Sequence, residues 1–413
     1  MSLWRSGIFW AVLAFAGSLG NFAFTALIAH HFNQAEYGLS DSVMKFTTFL
    51  ALPQGMVTTA VIHYISHFRT HNDEARLQGL LIGCRKFLRN TTIAGTVLVA
   101  VAVVPVGSYF AFRKSLILAA AVCILIGLWS SFAIALCQGM AWFKRLAVIG
   151  FLAVCLRLVF GYFVALPINT AEMAVSATTF SLLANLALLY WWKDIFKSDA
   201  QPVSPWTPEL FRFIIISSGY VGANWFFSQG DSLAAKRHFP ETLGLYSGAA
   251  NLGRAVFQSV GPFLQVLFTS RSGKRSQQSA ADQRILLGLY AVGLASAAGG
   301  LVLFRSLAVR ILFGKLAPEA AAMVTALIPR LAAIMVFAGL CQAIGAWCLA
   351  SRWFKLTLLY GFCGLAYWIA LLALGLNPDA LLNAMLIGSA ASFALLCALW
   401  LNTLRQNQTV PQP

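Results

Sequence analysis

From Ser115 to Gln138 the chain reads SLILAAAVCILIGLWSSFAIALCQ, 24 residues without a single Asp, Glu, Lys or Arg. Roughly 20 apolar residues suffice to cross about 30 Å of hydrocarbon as a helix. Lipid offers no hydrogen bonds to the backbone, so such a stretch must satisfy its own amides, and it predicts a membrane-spanning helix. Working outward, eleven further stretches of this kind recur, giving predicted spans at 7–30, 38–66, 82–110, 115–138, 146–166, 171–192, 209–229, 241–268, 284–312, 318–349, 354–376 and 379–402. Composition agrees: 59% of the 413 residues are hydrophobic, 10% are charged, and the mean hydropathy is +0.76. A β-barrel would need short alternating segments, which the sequence lacks. The predicted fold is an all-α integral membrane protein with about twelve spans.

The cations set an orientation. With the N-terminus inside, 18 of the 29 Lys and Arg fall on the cytoplasmic side, among them Arg69, Arg76, Arg85, Lys86, Arg89, Lys144 and Arg145. Seven fall outside: Arg113, Lys114, Lys236, Arg237, Arg305, Arg310 and Lys315. The excess predicts both termini in the cytoplasm of a cell inner membrane. The net charge of +16 is then a topology signal and argues against a nucleic-acid partner. The apolar stretch after Arg5 is too long for a signal peptide and reads as the first span. The eight cysteines lie in or beside spans with no CxxC pair, so they read as small core residues, with no metal and no disulfide.

The longest polar connection, 193–208, divides the chain into a six-helix lobe over 1–192 and a second over 209–402, with a cytoplasmic tail at 403–413. The lobes repeat one another. The first runs His31, Phe32, a turn with Gly38, then Lys45 and Pro53; the second runs His238, Phe239, a turn with Gly244, then Arg254 and Pro262. In each, a cation precedes a proline by eight residues. Parallel repeats are a transporter architecture with the substrate between the halves.

Four cations, Lys45, Arg157, Arg254 and Arg330, lie inside predicted spans, where a charge costs roughly 2.5–3.5 kcal/mol on insertion scales and points to function. Few carboxylates stand near them in sequence, which predicts unpaired positive charge and an anionic cargo. Helical spacing sorts polar residues onto faces. Span 8 aligns Ser247, Asn251, Arg254, Gln258 and Gln265; span 7 aligns Ser217, Tyr220, Asn224, Ser228 and Asp231. Span 1 aligns Ser18, Asn21 and Thr25, and span 2 aligns Asp41, Lys45, Thr48, Thr59 and His63. Such stripes line a cavity or simply join helices. Asp41, one turn before Lys45, is its natural partner. Asp231 is expected in a surface pair with Lys236 and Arg237, and His63 in polar packing; both, with Asp41, remain candidates for coupling H+ or Na+. Arg157 and Arg330 can equally bond to neighbouring helices. Pro53, Pro105, Pro262 and Pro329 are expected to kink their spans. Residues 76–89 read as an amphipathic helix lying on the cytoplasmic leaflet.

Catalytic signatures are absent: there is no GxxxxGK[ST] loop and no carboxylate pair suited to glycosyl transfer, so no enzyme and no cofactor is expected.

Several patterns resemble the oligosaccharide-lipid flippases of the multidrug/oligosaccharidyl-lipid/polysaccharide exporter superfamily. They are Gly20-Asn21 leading to Ala35-Glu36-Tyr37-Gly38, the Asp231 to Tyr246 stretch reading D-x-L…LG-x-Y, Leu312-Phe313-Gly314, and Ala350-Ser351-Arg352. The resemblance implies two six-helix lobes, alternating access and a polyprenyl-diphosphate-linked oligosaccharide as cargo. The diphosphate would sit against Lys45 and Arg254, with Arg157 and Arg330, and Asn21, Asn224, Asn251 and Gln258 would contact the substrate. A monomer among membrane lipids is expected. The alternative is a multidrug or organic-cation antiporter of the same fold, which would favour intramembrane carboxylates. A membrane glycosyltransferase would need an acidic outer loop, and a non-transporting scaffold is the remaining class.

Overall fold

The computed structural model describes residues 3–32, 34–110, 113–189, 208–239, 242–272, 278–314, 316–374 and 377–409. The described part is helical with no strand. In chain order the helices are α1 (Leu3–His31), α2 (Gln34–Leu50), α3 (Leu52–Thr70), α4 (Glu74–Phe110), α5 (Lys114–Gly139), α6 (Phe143–Phe160) and α7 (Ala171–Asn185). There follow α8 (Pro208–His238), α9 (Leu243–Ser272), α10 (Gln278–Leu303), α11 (Arg305–Phe313), α12 (Pro318–Ala350), α13 (Phe354–Ala373) and α14 (Pro378–Thr409). A π-helical turn, Gly161–Ala165, and one further turn, Leu166–Ile168, extend α6.

Two predicted spans are therefore broken. The span over 38–66 divides at Ala51, and Pro53 stands in the first turn of α3, where a missing N–H costs nothing, instead of kinking a continuous helix. The span over 284–312 divides at Phe304. Pro262 and Pro329 do lie inside helices, as expected. Among the described residues, eight segments are long and apolar enough to cross a membrane unaided: Lys114–Gly139, Phe143–Ile168, Ala171–Leu189, Pro208–Ser232, Ile285–Leu303, Pro318–Ala350, Phe354–Ala373 and Pro378–Leu404. The helices carrying Lys45 and Arg254 are not among them. Helix α2 has only 17 residues, and α9 carries a polar stripe. Apolar side chains turned outward, such as Phe163, Ile215, Phe362 and Ile387, suit a lipid surround.

The chain forms two compact units, residues 1–214 with 272–279, and residues 215–271 with 280–413. The first two turns of α8 thus belong to the first unit. Most of the connection over 193–208 lies outside the described residues. Each unit contains the same turn, and its sequence is a repeat invisible to hydropathy: Cys137-x4-Trp142-Phe143-Lys144 in one, Cys348-x4-Trp353-Phe354-Lys355 in the other. Helix α5 ends with Ala141 left-handed at φ 54° and the Trp142 amide donating to Cys137 at 2.8 Å. Helix α12 ends with Arg352 left-handed at φ 59° and the Trp353 amide donating to Cys348 at 2.8 Å. This is a Schellman closure, which satisfies the last carbonyls and reverses the chain. The end of α3 repeats it, with Asn72 at φ 54° and the Asp73 amide on Phe68.

Residues 76–89 do not form a separate surface helix. They are the start of α4, which at 37 residues is about 55 Å long. Leu77, Leu80, Leu81 and Leu88 are buried in the protein, while Arg76, Arg85, Lys86 and Arg89 are exposed. Most of the apolar face expected to meet lipid meets the bundle instead, while Ile82 stays exposed. All eight cysteines are free thiols.

Candidate functional site

In the second unit, one face of α8 and one face of α9 meet around Arg254. The side chains of Asp231 and Ser232 and the backbone carbonyl of Ser228 all reach it. Arg254 Nη2 lies 2.6 and 2.8 Å from the two Asp231 carboxylate oxygens and 2.6 Å from Ser232 Oγ. Nε donates to the Ser228 carbonyl at 2.7 Å, and Nη1 to Asn251 Oδ1 at 2.8 Å. The Tyr246 hydroxyl donates to Asp231 Oδ2 at 2.9 Å. Asp231 is 0% exposed and Arg254 4%. The expectation of a surface pair for Asp231 with Lys236 and Arg237 is corrected: its partner is Arg254, 23 residues away. The side chains of Lys236 and Arg237 lie outside what the structure describes. A buried pair of this kind offsets its desolvation only when its remaining donors and acceptors are also met, and here Ser228, Ser232, Tyr246 and Asn251 meet them.

Two of the resembling patterns close on this cluster. Asp231 and Tyr246, the ends of D-x-L…LG-x-Y, hydrogen-bond each other. Phe313 of Leu312-Phe313-Gly314 packs onto Gly248 of α9, where a Cβ would fall 1.9 Å from the ring. Gly314 then reverses the chain at φ 62°. Two turns before Asp231, Asn224 accepts from the Tyr360 hydroxyl at 2.6 Å. Gln258, one turn beyond Arg254, is exposed and stands apart from the cluster.

The first unit arranges its cations differently. Lys45 pairs with Asp41 on its own helix, with side-chain exposures of 10% and 17%. Arg157 of α6 donates to Asn21 Oδ1 at 2.9 Å and lies over the Phe24 ring at 4.1 Å. Its Nε is buried with no hydrogen-bond partner, and no carboxylate pairs with it among the described residues. The approach of α1 to α6 depends on two glycines: a Cβ on Gly20 would meet Val154 at 2.4 Å, and one on Gly161 would meet Phe24 at 2.7 Å. The Gly20-Asn21 pattern therefore has a local meaning, close approach followed by an amide for Arg157. The π turn begins at Gly161, immediately after this contact; such bulges are frequent at functional positions.

The picture of four unpaired cations is corrected. Lys45 and Arg254 are neutralised. Arg330 is half-exposed and pairs with Asp379 near the start of α14, with Asn383 at 3.5 Å. Of the four, Arg157 keeps a guanidinium that no carboxylate pairs with among the described residues. His63 is 1% exposed and lies flat on Phe213, 4.3 Å between ring centroids.

A clasp that the sequence did not suggest joins the N-terminal ends of α2, α5 and α7. Arg113 bridges Glu36 at 2.7 Å and Glu172 at 2.9 Å; Ser115 donates to Glu172, and the Ala171 amide to Glu36. The Arg113 hydrogen bond holds the Glu36 carboxyl below the usual carboxylate range, against the opposing effect of burial.

No protein-family model and no curated protein matches the chain. Solved structures do. An outward-facing multidrug resistance MATE family transporter of the MOP superfamily aligns over 99% of this chain and 98% of its own, with TM-score 0.77 and 11% identity. A MOP superfamily transporter from Pyrococcus furiosus Vc1, described by a binding pocket of reverse polarity that suggests a different function, aligns over 99% and 98% with TM-score 0.73 and 13% identity. A MATE crystal structure in complex with MaL6 gives 99% and 98%, TM-score 0.71 and 11% identity. At these identities the likeness is one of fold. The chain has the fold of the MATE transporters, which have twelve membrane helices in two lobes, and is a multi-pass helical membrane protein. The likeness does not single out the saccharide-lipid flippases within the superfamily.

Proposed function

We propose that the chain is an ion-coupled secondary transporter that exports amphipathic organic compounds by alternating access, as a monomer in the cell inner membrane with both termini in the cytoplasm. The observation that carries this reading is the Asp231–Arg254 cluster, a fully buried carboxylate and guanidinium in a fold shared with multidrug transporters. Pairing removes the positive charge that had favoured a diphosphate at Lys45 and Arg254. It leaves instead a carboxylate in each unit, Asp41 and Asp231, and intramembrane carboxylates are the groups expected of a cation-coupled exchanger. Were the Asp231–Arg254 pair to open, Arg254, Asn251 and Ser232 would become available to the substrate or to water.

A second reading is favoured by Arg157: a flippase for a polyprenyl-diphosphate-linked oligosaccharide in surface polysaccharide synthesis. A guanidinium held only by an amide and a ring face retains donors for a phosphate. Asn21 would orient it, and Lys45 of the same unit would contact the rest of the cargo.

Reconstitution into proteoliposomes distinguishes the two. With an imposed proton or sodium gradient, the first reading expects transport of a fluorescent organic cation, lost in Asp231→Asn protein that remains monodisperse. Flipping of a fluorescent polyprenyl-diphosphate saccharide, sensitive to Arg157→Gln and without organic-cation transport, would overturn the first reading in favour of the second.

A further inference from the structure

Helix α3 places His63, His67 and His71 one turn apart on a single face. The series runs from the buried ring of His63 to the exposed ring of His71 at the helix C-cap. Its two steps differ. The His63 and His67 rings are 6.3 Å apart and parallel, whereas those of His67 and His71 are 4.3 Å apart and inclined at 46°. Two imidazoles sharing one ion at about 2.1 Å through nitrogen, at angles of roughly 90–109°, have ring centroids about 4.5–5.2 Å apart. The second step needs a shift of only a few tenths of an ångström to reach that range. The first step lies well beyond it, as do the adjacent His30 and His31 at 6.4 Å.

The hydrogen bonding of His71 points the same way. Its Nδ1 lies 2.8 Å from the His67 carbonyl, which can only accept, so Nδ1 carries the proton and the lone pair is on Nε2. Ligating histidines are commonly held by such a bond from the other ring nitrogen.

We propose that His67 and His71 form a binding site for a borderline divalent transition-metal ion of the Zn2+, Ni2+ or Cu2+ class, with water in the remaining positions. Imidazole is the ligand these ions share. No third His, Cys, Asp or Glu joins the pair among the described residues, so the ion exchanges readily instead of being a permanent structural centre. Asp73, the nearest acid in sequence, is committed to the start of α4, where it accepts from the Arg76 amide at 3.1 Å. An ion held here would stiffen the last turn of α3, beside the left-handed Asn72 and the Arg69 contact with the Met140 carbonyl. Binding would weaken with acid, because both rings must be neutral.

The test uses full-length protein without a polyhistidine tag, titrated with NiCl2 or ZnCl2 in a calorimeter near neutral pH and reversed with EDTA. One equivalent should bind, and affinity should fall by roughly tenfold or more in both His67→Gln and His71→Gln. His63→Gln and His30→Gln should bind as the parent does. In the Cu2+ form, electron paramagnetic resonance should count two nitrogen ligands. The absence of saturable binding would overturn the site. So would unchanged affinity in His67→Gln or His71→Gln, or an equal loss in monodisperse His63→Gln protein.

Discussion

Lys45 and Arg254 stand at matching places in the two repeats, eight residues before a proline, yet each is neutralised in its own way. Lys45 takes a carboxylate from its own helix one turn back, and the pair keeps some exposure. Arg254 takes its carboxylate from another helix, 23 residues away, and the pair is sealed by Ser228, Ser232, Tyr246 and Asn251. The position of the cation is thus repeated while the source of its counter-charge is not. A local pair survives small movements of its helix, because both members travel together. A pair between helices holds only while those helices keep their register. The second unit therefore carries the arrangement that a helix shift would disturb most.

The largest effect should follow from removing one member of the inter-helix pair. Asp231→Ala or Arg254→Ala leaves a buried charge uncompensated and should cost about 3–5 kcal/mol; thermal unfolding in detergent reads it as a lowered Tm. Lys45→Met, by contrast, should cost less, since its pair with Asp41 lies within one helix and is less completely enclosed, with side-chain exposures of 10% and 17%. Equal losses in the two units would erase the distinction drawn above.

Next in size is Gly248→Ala, whose methyl group would strike the Phe313 ring and force α9 from α11. Overpacking of this kind costs about 1–3 kcal/mol, and Phe313→Leu in the same chain should recover part of it.

The smallest effect belongs to the Glu36–Arg113–Glu172 clasp. Because Arg113 depresses the Glu36 pKa in the folded protein, the unfolded chain binds the proton more readily. The clasp's contribution is complete at neutral pH and is lost as pH falls through the usual carboxylate range to the folded value. Arg113 is partly exposed, so the amount should be under about 1 kcal/mol. Arg113→Ala should lower Tm slightly at neutral pH and leave it unchanged in acid; a pH-independent loss would mean packing alone.

Which of these features the sequence foretold depends on the range of the interaction. The helical membrane fold was legible because hydropathy is a property of each segment by itself, as Ser115–Gln138 illustrates. The Asp41–Lys45 pair was legible because four-residue spacing sets one turn of helix. Asp231 was misread because nothing in local spacing ties it to Arg254, while Lys236 and Arg237 stood close in sequence. The break at Ala51 escaped because a proline in a first turn and a proline in a kink look alike along the chain. The Cys-x4-Trp-Phe-Lys repeat was present in the letters but became meaningful only once both copies were seen to close a helix with a left-handed residue. Arg157 gained importance by elimination, through pairings of the other cations that only three dimensions reveal.

The most direct test of the central claim, that Asp231 and Arg254 work as a functional pair and are not mere packing, is the double variant Asp231→Leu/Arg254→Met. Replacing both members of a buried pair by apolar groups is often neutral or stabilising, so this protein should fold and unfold near the parent Tm. In proteoliposomes under an imposed ion gradient it should nevertheless fail to transport. Gradient-driven transport at the parent rate by the folded double variant would contradict the account.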